Sequence, residues 1–288
     1  MKKYIIYTLI VTIAVFLGSC NKDDIDTKRS IFDPTEVYEP NEFDKWLLDN
    51  YVYTYNIQVN DNETDVEYHL VPAKYDNAIT LAKIVKFVWM EAYDEIWGID
   101  MTRTYVPKLL QFIGNVAYTE SGMILGQAEG GMKVTLFRVN EIDKNNLSVA
   151  QLNEYYFKTM HHEFTHILNQ KKAYDTSYDR ISESDYVGSS WYRVSESVAL
   201  QKGFISPYAM DRATEDFAEM VAIYVTNDAS TWEDMLASAG TTGRPIIEKK
   251  FEIVFDYMLN SWGLDLDKLR EIVLRRQSEI TELDLSTL

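Results

Sequence analysis

Residues 160–170 read MHHEFTHILNQ and hold three of the four histidines in the chain. If this stretch is helical, each residue turns by about 100°, so His162 and His166 share one face while apolar residues occupy the opposite side. His161 lies off the shared face, whereas Glu163 lies next to it. Two imidazoles one helical turn apart, beside a carboxylate, form the pattern His-Glu-x-x-His, which can hold a zinc ion.

The sequence around this pattern predicts a long helix. Ser148 and Gln151 occupy the N-cap and N3 positions of a capping box, in which the serine side chain accepts a hydrogen bond from the backbone of the N3 residue. The helix is therefore predicted to run from about residue 149 to about residue 170, with its apolar side against the core.

A catalytic zinc ion needs a third protein ligand. The extended pattern H-E-x-x-H-x-x-G-x-x-H is absent, because Asn169 and Lys172 stand where it requires glycine and histidine. His69, the remaining histidine, lies in a strand-like segment and is interpreted as an ordinary residue. A carboxylate must therefore supply the third ligand. The downstream candidates are Asp175, Asp179, Glu183, Asp185, Glu196, Glu215 and Glu219.

Two of these candidates lie in a second amphipathic pattern, DRATEDFAEMVAIYVTN (211–227). The pattern predicts a helix from about residue 212 to about residue 225, capped by Asp211. Glu215 and Glu219 are one turn apart on one face of that helix, and apolar residues occupy the opposite face. A solvated acidic face is the alternative interpretation.

Together the two patterns resemble a known class of enzyme. His162-Glu163-x-x-His166 followed by Glu215-Asp216-Phe217-Ala218-Glu219 looks like the glutamate-zincin metallopeptidases. The stretch GFISPYAMDRATEDFAE (203–219) is similar to the zinc-binding metallopeptidase lipoproteins of Bacteroidetes, also named substrate import-associated zinc metallohydrolase lipoproteins. The resemblance implies one Zn²⁺ per chain, held by His162, His166 and Glu215. It makes Glu163 the catalytic base and acid.

Two further residues gain roles from the resemblance. Glu219 would hydrogen-bond a zinc-binding histidine and so fix which ring nitrogen carries the proton. Tyr208, seven residues before Glu215, would point toward the zinc ion and donate a hydrogen bond to the oxyanion formed during hydrolysis. Ser206 and Pro207 suit the N-cap and first turn of a helix just before it. Simple packing of Tyr208 stays open as the alternative.

The implied fold is α+β and zincin-like, with two lobes and the zinc site between them. One lobe spans 36–170 and ends in the His-Glu-x-x-His helix, and a mainly helical lobe spans 171–288 and carries the glutamate helix. In the first lobe, MILGQ (123–127) and MKVTLFRV (132–139) are predicted strands joined by a glycine-containing turn. The resemblance makes the second of them the edge strand of the cleft, where an extended peptide would pair; an ordinary sheet edge is the alternative.

Periodicity predicts the remaining elements. Apolar residues recur at helical spacing in four further stretches, at residues 42–50, 78–97, 246–260 and 266–280. Residues 51–59, rich in tyrosine and valine, predict a strand. The aromatic residues of the 78–97 helix are expected in the core; they are Phe87, Trp89, Tyr93 and Trp97.

The first twenty residues, MKKYIIYTLIVTIAVFLGSC, differ in composition from the rest of the chain. Two lysines precede a short apolar run that ends in Leu-Gly-Ser-Cys, which resembles a bacterial lipobox. Residues 1–19 are therefore predicted to be a signal peptide, Cys20 the acylated residue and 20–35 a lipidated tether. The following Asn-Lys-Asp-Asp is similar to the export signal of surface lipoproteins. The expected location is the outer membrane, exposed at the cell surface, with a periplasm-facing orientation as the alternative.

The formal net charge of −17 and the sequence pI near 4.7 argue against nucleic acid as a partner, because no basic run is present to neutralise phosphates. The expected function is a zinc-dependent metallopeptidase acting on peptides or proteins, beside a TonB-dependent nutrient importer and its surface lipoprotein. Two other functions stay open. One is a zinc-containing binding lipoprotein without peptidase activity, and the other is a zinc hydrolase of a non-peptide amide in glycoconjugates.

Overall fold

The computed structural model describes residues 41–51, 70–119, 122–124, 126–129 and 133–285. The predicted signal peptide, Cys20, the tether, His69 and residues 52–59 of the predicted strand lie outside these ranges. Within them the chain is mostly helical with two small sheets, which confirms the α+β class. Residues Asn41–Leu288 group into one compact unit, and the division between residues 170 and 171 stays a prediction.

The helices, named in chain order, are α1 (Glu42–Tyr51), α2 (Tyr75–Val85), α3 (Glu91–Trp97), α4 (Ile99–Tyr105), α5 (Val149–Leu152), α6 (Lys158–Lys171), α7 (Ser177–Ile181), α8 (Glu196–Gln201), α9 (Ala213–Thr226), α10 (Ala229–Trp262) and α11 (Leu266–Ser278). The strands are β1 (Leu109–Phe112), β2 (Ala117–Thr119), β3 (Gly122–Ile124), β4 (Gly126–Glu129) and β5 (Lys133–Leu136). Two π-helical stretches, Lys86–Met90 and Asn153–Phe157, join α2 to α3 and α5 to α6. Short 3₁₀ helices include Gly188–Arg193 and Tyr208–Met210.

The strand expected at the edge of the cleft lies in the middle of its sheet. β5 pairs in parallel with β1 and antiparallel with β4, so the order is β1-β5-β4. Val134, Thr135 and Leu136 are all buried, as is typical of a strand covered on both faces. The prediction that residues 132–139 form the edge strand is therefore wrong. β4 lies at an edge of the sheet and contacts α6.

The predicted strand at 123–127 is divided between two strands. Its first residues belong to β3, which pairs antiparallel with β2 in a separate two-stranded sheet. Its last residues begin β4, which pairs antiparallel with β5 as the predicted turn requires.

The predicted helix at 149–170 is continuous from Val149 to Lys171, through α5, a π-helical stretch and α6. Ser148 Oγ accepts a hydrogen bond from Gln151 N at 3.3 Å, which confirms the predicted N-cap. The π-helical stretch lies one turn before the histidines, and such stretches are frequent at functional sites.

The core around the histidine helix lies between the apolar side of α6 and the helical run from α2 to α3. The Phe164 ring centre is 4.9 Å from that of Tyr93 and 5.4 Å from that of Trp89, both edge to face. Trp89 and Tyr93 are fully buried, as predicted for aromatic residues of the 78–97 helix. Phe87 and Trp97 are partly buried against the same core.

The glutamate helix begins one residue later than predicted. α9 starts at Ala213, and Arg212 occupies the N-cap position with an extended backbone (φ −163°, ψ 168°). Asp211 therefore lies outside the cap position, and its Oδ2 accepts a hydrogen bond from Arg212 Nε at 2.6 Å instead. The prediction that Asp211 caps this helix is wrong.

Two helices end the described part of the chain. α11 agrees with the predicted helix at 266–280. α10 consists of two helical segments that meet at a kink at Gly240. The predicted 246–260 lies within the second segment, and the first segment, which starts at Ala229, was not predicted. Gly240 has a φ of 67° and produces a kink there, which a residue with a side chain adopts only under strain. In the part of the chain that the structure describes, no helix is long and apolar enough to cross a membrane.

Candidate metal centre

Helices α6 and α9 pack against each other and bring the two predicted ligand pairs to one place. His162 Nε2 and His166 Nε2 are 3.0 Å apart, and each lies 3.0 Å from Glu215 Oε2. The two histidines meet because residues four apart stand one above the other on a helix. The three side chains are largely shielded from solvent, with exposures of 6%, 18% and 13% in the same order.

The donor set fits one divalent metal ion. Two imidazole nitrogens and one carboxylate oxygen are the ligand types of many catalytic zinc sites. Ligands about 2.0–2.1 Å from a tetrahedral ion are about 3.3–3.4 Å apart, close to the 3.0 Å sides of this triangle. Among the described residues, one group of histidine, cysteine, aspartate or glutamate side chains lies close enough together to hold a metal ion. It consists of His162, His166 and Glu215. The five other candidate carboxylates, at positions 175 to 196, take no part in it.

Glu219 lies behind His162 and contacts its other ring nitrogen. Its Oε1 is 3.1 Å from His162 Nδ1, while its Oε2 accepts a hydrogen bond from Ser206 Oγ at 2.6 Å and lies 3.5 Å from Lys158 Nζ. Burial raises the pKa of Glu219, but the Lys158 charge and the hydrogen bonds from His162 and Ser206 outweigh burial and lower it to about 2. A carboxylate in this position keeps the ring proton on Nδ1 and leaves the Nε2 lone pair for a metal ion.

The charges around His162 favour a cation among the ligand atoms. Burial lowers the pKa of His162, but hydrogen bonds with Glu215 and Glu219 and the nearby carboxylate charges raise it to about 10. Burial raises the pKa of Glu215, yet its hydrogen bonds with His162 and His166 bring it well below its usual range. The negative charges that stabilise a proton on His162 also stabilise a divalent cation at the same position. A metal ion that binds there must therefore displace the proton.

Glu163 lies beside the ligand triangle but outside it. It follows His162 on α6, and its exposure is 8%. Its charge raises the pKa of both His162 and Tyr208, so its carboxylate lies within electrostatic reach of both groups. The arrangement places a second carboxylate next to the metal position without making it a ligand.

The structure also brings Tyr208 to the site. Its ring centre is 5.6 Å from the His162 ring and 5.0 Å from the Trp191 ring. Ser206 Oγ accepts a hydrogen bond from Ala209 N at 3.1 Å, so Ser206 caps the short helix that carries Tyr208, as predicted. The tyrosine ring therefore packs between a candidate ligand and an aromatic residue farther out.

The Tyr208 hydroxyl keeps its proton at neutral pH. Burial raises the pKa of this hydroxyl far above its ordinary value, and the charges of Glu215 and Glu163 raise it further. A protonated phenol beside the ligand triangle is a hydrogen-bond donor. The position of Tyr208 is compatible with simple packing and with donation of a hydrogen bond to a substrate. An activity measurement distinguishes these two roles.

Comparisons with known proteins agree with this geometry. The family model described as "Putative zinc-binding metallo-peptidase" matches residues 36–267. The chain belongs to this family. Among solved structures, a putative zinc-binding metallo-peptidase from Bacteroides caccae is 40% identical, with a TM-score of 0.72 over 87% of this chain and 98% of that one. No curated protein matches significantly.

One histidine of this family member is separate from the metal centre. His161 is fully buried, and its Nδ1 lies 3.0 Å from the Tyr93 hydroxyl. Burial lowers the pKa of His161 to about 3, so the ring is neutral. The prediction that His161 lies off the ligand face is confirmed.

Sequence reasoning missed a buried ion pair behind the glutamate helix of this family member. Asp216 follows Glu215, and its Oδ2 lies 2.7 Å from Lys250 Nζ, with both side chains 0% exposed. Lys250 also donates to Gly203 O at 2.9 Å, and the Tyr186 hydroxyl donates to Asp216 Oδ2 at 3.0 Å. Burial raises the pKa of Asp216 and lowers that of Lys250, while each charge acts on its partner in the opposite direction.

Sequence signals for the missed residues existed. Lys158 lies four residues before His162, so it stands one turn away on the same helix and can reach the partner of His162. Lys250 lies on the stripe that buries Ile247 and Val254. A lysine at a position where the helical period requires an apolar residue indicates a buried partner.

Proposed function

We propose that this protein is a zinc-dependent peptidase of the glutamate-zincin type. The observation that carries the proposal is the triangle of His162 Nε2, His166 Nε2 and Glu215 Oε2, with the Glu163 carboxylate beside it. A structural zinc site surrounds its ion with four protein ligands, whereas a catalytic one uses three and keeps a position open. The choice of zinc, the two-lobe zincin layout and the use of a peptide substrate are parts of this proposal.

In the proposed reaction, bound zinc supplies Lewis acidity that polarises the scissile carbonyl and lowers the pKa of water. Glu163 accepts a proton from the attacking water and later donates it to the leaving amine. Tyr208 donates a hydrogen bond to the oxyanion of the tetrahedral intermediate. Glu219 holds the Nδ1 proton of His162, so the ring keeps its orientation and tautomer.

The proposed substrate is an extended peptide that pairs with β4. This strand contacts α6 and is joined to β5 on one side, at the edge of the sheet order. An extended peptide can add to such an edge through backbone hydrogen bonds. β4 is therefore assigned the role that the sequence predicted for residues 132–139, which is to pair with an extended peptide at the edge of the sheet.

The proposed location rests on residues 1–24 of the sequence. Acylation of Cys20 after removal of residues 1–19 would attach the protein to the outer membrane, facing the cell surface and beside a TonB-dependent importer with its surface lipoprotein. Labelled palmitate is expected in the wild type and absent from Cys20→Ala, and protease added to intact cells should digest the wild type. Equal labelling of both proteins would overturn the lipoprotein assignment.

The activity is tested with three purified proteins: the wild type, Glu163→Gln and Glu154→Gln. Glu154 is the matched control, because it is an exposed glutamate on the same helical run. A diverse peptide library is incubated with each protein, cleavage is measured by mass spectrometry and zinc by elemental analysis. Wild type and Glu154→Gln should cleave, and Glu163→Gln should lose roughly 10²–10⁴-fold in rate. All three should carry about one zinc ion per chain.

Other results would reject parts of this proposal. Zinc in all three proteins without cleavage by any of them would favour a non-peptide amide substrate or a binding role. A wild type that takes up no zinc would reject the metal centre itself. Cleavage by Glu163→Gln at the wild-type rate would remove Glu163 from the reaction.

A further inference from the structure

The segment that precedes the Tyr208 turn carries an exposed group of apolar side chains. Among the described residues, eight large apolar side chains are exposed, and two of them, Val187 and Tyr192, lie in this segment, residues 186–194. No residue of the 3₁₀ helix Gly188–Arg193 is fully buried: Trp191 is partly buried against the core, and Tyr192 is exposed. Apolar side chains that lie together at the surface mark binding sites more often than side chains scattered singly, and here Tyr192 lies beside Trp191.

A run of aromatic rings connects this segment to the metal centre. The His162 ring lies 5.6 Å from Tyr208, the Tyr208 ring 5.0 Å from Trp191, and the Trp191 ring 6.4 Å from Tyr192. The last two contacts are edge to face, at 71° and 89°. The rings therefore lead from a candidate ligand to the protein surface.

Two hydrogen bonds fix this segment to the elements that carry the site. Val187 N donates to Met210 O at 2.8 Å, which ties the segment to the turn that contains Tyr208. The Tyr186 hydroxyl donates to Asp216 Oδ2 at 3.0 Å, which ties it to the helix that contains Glu215. The aromatic residues are thus held in place before substrate arrives, which lowers the entropy cost of binding.

We propose that Trp191, with Tyr192 beside it, forms the surface that contacts an aromatic or large aliphatic side chain of the substrate next to the scissile bond. This inference rests on the proposed peptidase function and names the class of peptide cleaved. Trp191 and Tyr192 carry no charge, but the Arg193 guanidinium lies 5.3 Å from the centre of the Tyr192 ring and donates a hydrogen bond from Nε to its hydroxyl at 3.1 Å. The apolar contact with substrate is therefore assigned mainly to Trp191. Burial of a large side chain and an edge-to-face ring contact together favour binding by about tenfold or more over alanine.

The experiment uses the zinc-loaded protein and four peptides that are identical except at the residue beside the cleaved bond, which is Phe, Leu, Ala or Asp. The measured quantity is the ratio of kcat/KM for the Phe or Leu peptide to that for the Ala peptide. The wild type should give a ratio of about ten or more. Trp191→Ala should lower the ratio about five- to tenfold, and Trp191→Phe, which keeps a ring, should lower it about twofold or less.

Each outcome decides one claim. A wild type that cleaves no peptide would reject the proposed function, and this inference with it. Cleavage with the same side-chain ratio in the wild type and in Trp191→Ala would reject the inference alone, as would a wild type that prefers Asp or Ala. If Trp191→Ala does not fold, as judged by its circular dichroism and zinc content, Tyr192→Ala serves as the second variant. Tyr192→Ala should then lower the ratio about twofold or more, and a ratio equal to that of the wild type would overturn the inference.

Discussion

Replacing Lys250 by methionine tests whether the ion pair behind α9 stabilises the fold. Lys250 Nζ lies 2.7 Å from Asp216 Oδ2, and neither side chain is exposed. The ammonium group also donates to Gly203 O at 2.9 Å and lies 3.8 Å from the centre of the Phe204 ring. Methionine fills much of the same volume but supplies no charge and no donor. The variant therefore leaves the Asp216 carboxylate buried with the Tyr186 hydroxyl but without its counter-ion.

The expected loss is large. Removing one member of a buried ion pair costs about 3–5 kcal/mol, because the remaining charge stays out of water without a partner. For a folded unit of this size each kcal/mol shifts the unfolding midpoint by about 2–4 °C, so Lys250→Met should lower it by about 6–20 °C. Adding Asp216→Asn removes the second charge and keeps an acceptor for Tyr186. The double variant should therefore recover most of the loss.

Thermal unfolding at pH 7 with a chelator present measures the fold without the stabilisation that a bound metal ion adds. Lys249→Met is the matched control, because Lys249 is exposed on the same helix and its loss should change stability by less than about 0.5 kcal/mol. A Lys250→Met midpoint within about 2 °C of the wild type would show that the pair adds no stability. If the double variant is no more stable than Lys250→Met, the loss of stability comes from changed packing and not from the unpaired Asp216 carboxylate.

Three further predictions concern groups around the metal centre. Glu219→Gln removes the charge that holds the Nδ1 proton of His162, so zinc affinity measured by chelator competition should fall about 10–100-fold; an unchanged affinity would contradict that role. Tyr208→Phe should lower kcat about 10²–10³-fold with little change in zinc content, and an equal kcat would make Tyr208 a packing residue. Burial lowers the pKa of His161 to about 3, so the folded protein excludes a proton that the unfolded chain binds below about pH 6.5. The free energy of unfolding should therefore fall as the pH drops from about 6.5 to 3. Urea unfolding of the metal-free protein at about pH 7 and 4.5 measures this fall, and it should be smaller in His161→Gln than in the wild type. Equal losses in the two proteins would refute the argument.

The histidine helix and the three candidate ligands were predictable because they depend on local spacing. Ser148 determines where the helix starts, and the 100° turn per residue determines that His162 and His166 share a face. Glu215 was identified by the same rule applied to a second helix, together with the family resemblance. The contact of Glu219 with His162 came from the resemblance, and the 3.1 Å distance agrees with it.

The order of the sheet was not predictable in the same way. β5 pairs in parallel with β1. Parallel strands are joined by a long crossover connection, so the local sequence of a strand does not show which strand it pairs with. Three buried residues in a row on β5 show that both its faces are covered, but this burial is known from the structure and not from the sequence. The first segment of α10 was not predicted, whereas the predicted 246–260 lies in the second segment; Gly240, with a φ of 67°, interrupts the helix between the two.

Ligand positions and substrate choice depend on different parts of this fold. The three candidate ligands lie on α6 and α9, where the packing of two long helices positions them. Trp191 and Tyr208 lie instead on 3₁₀ turns of the connecting segment, and ring contacts and a few backbone bonds hold them against the helices. A substitution at Trp191 therefore changes the surface offered to substrate without moving either helix. Relatives that keep the ligand helices but differ in the segment 186–194 should accordingly bind zinc alike and cleave beside different side chains.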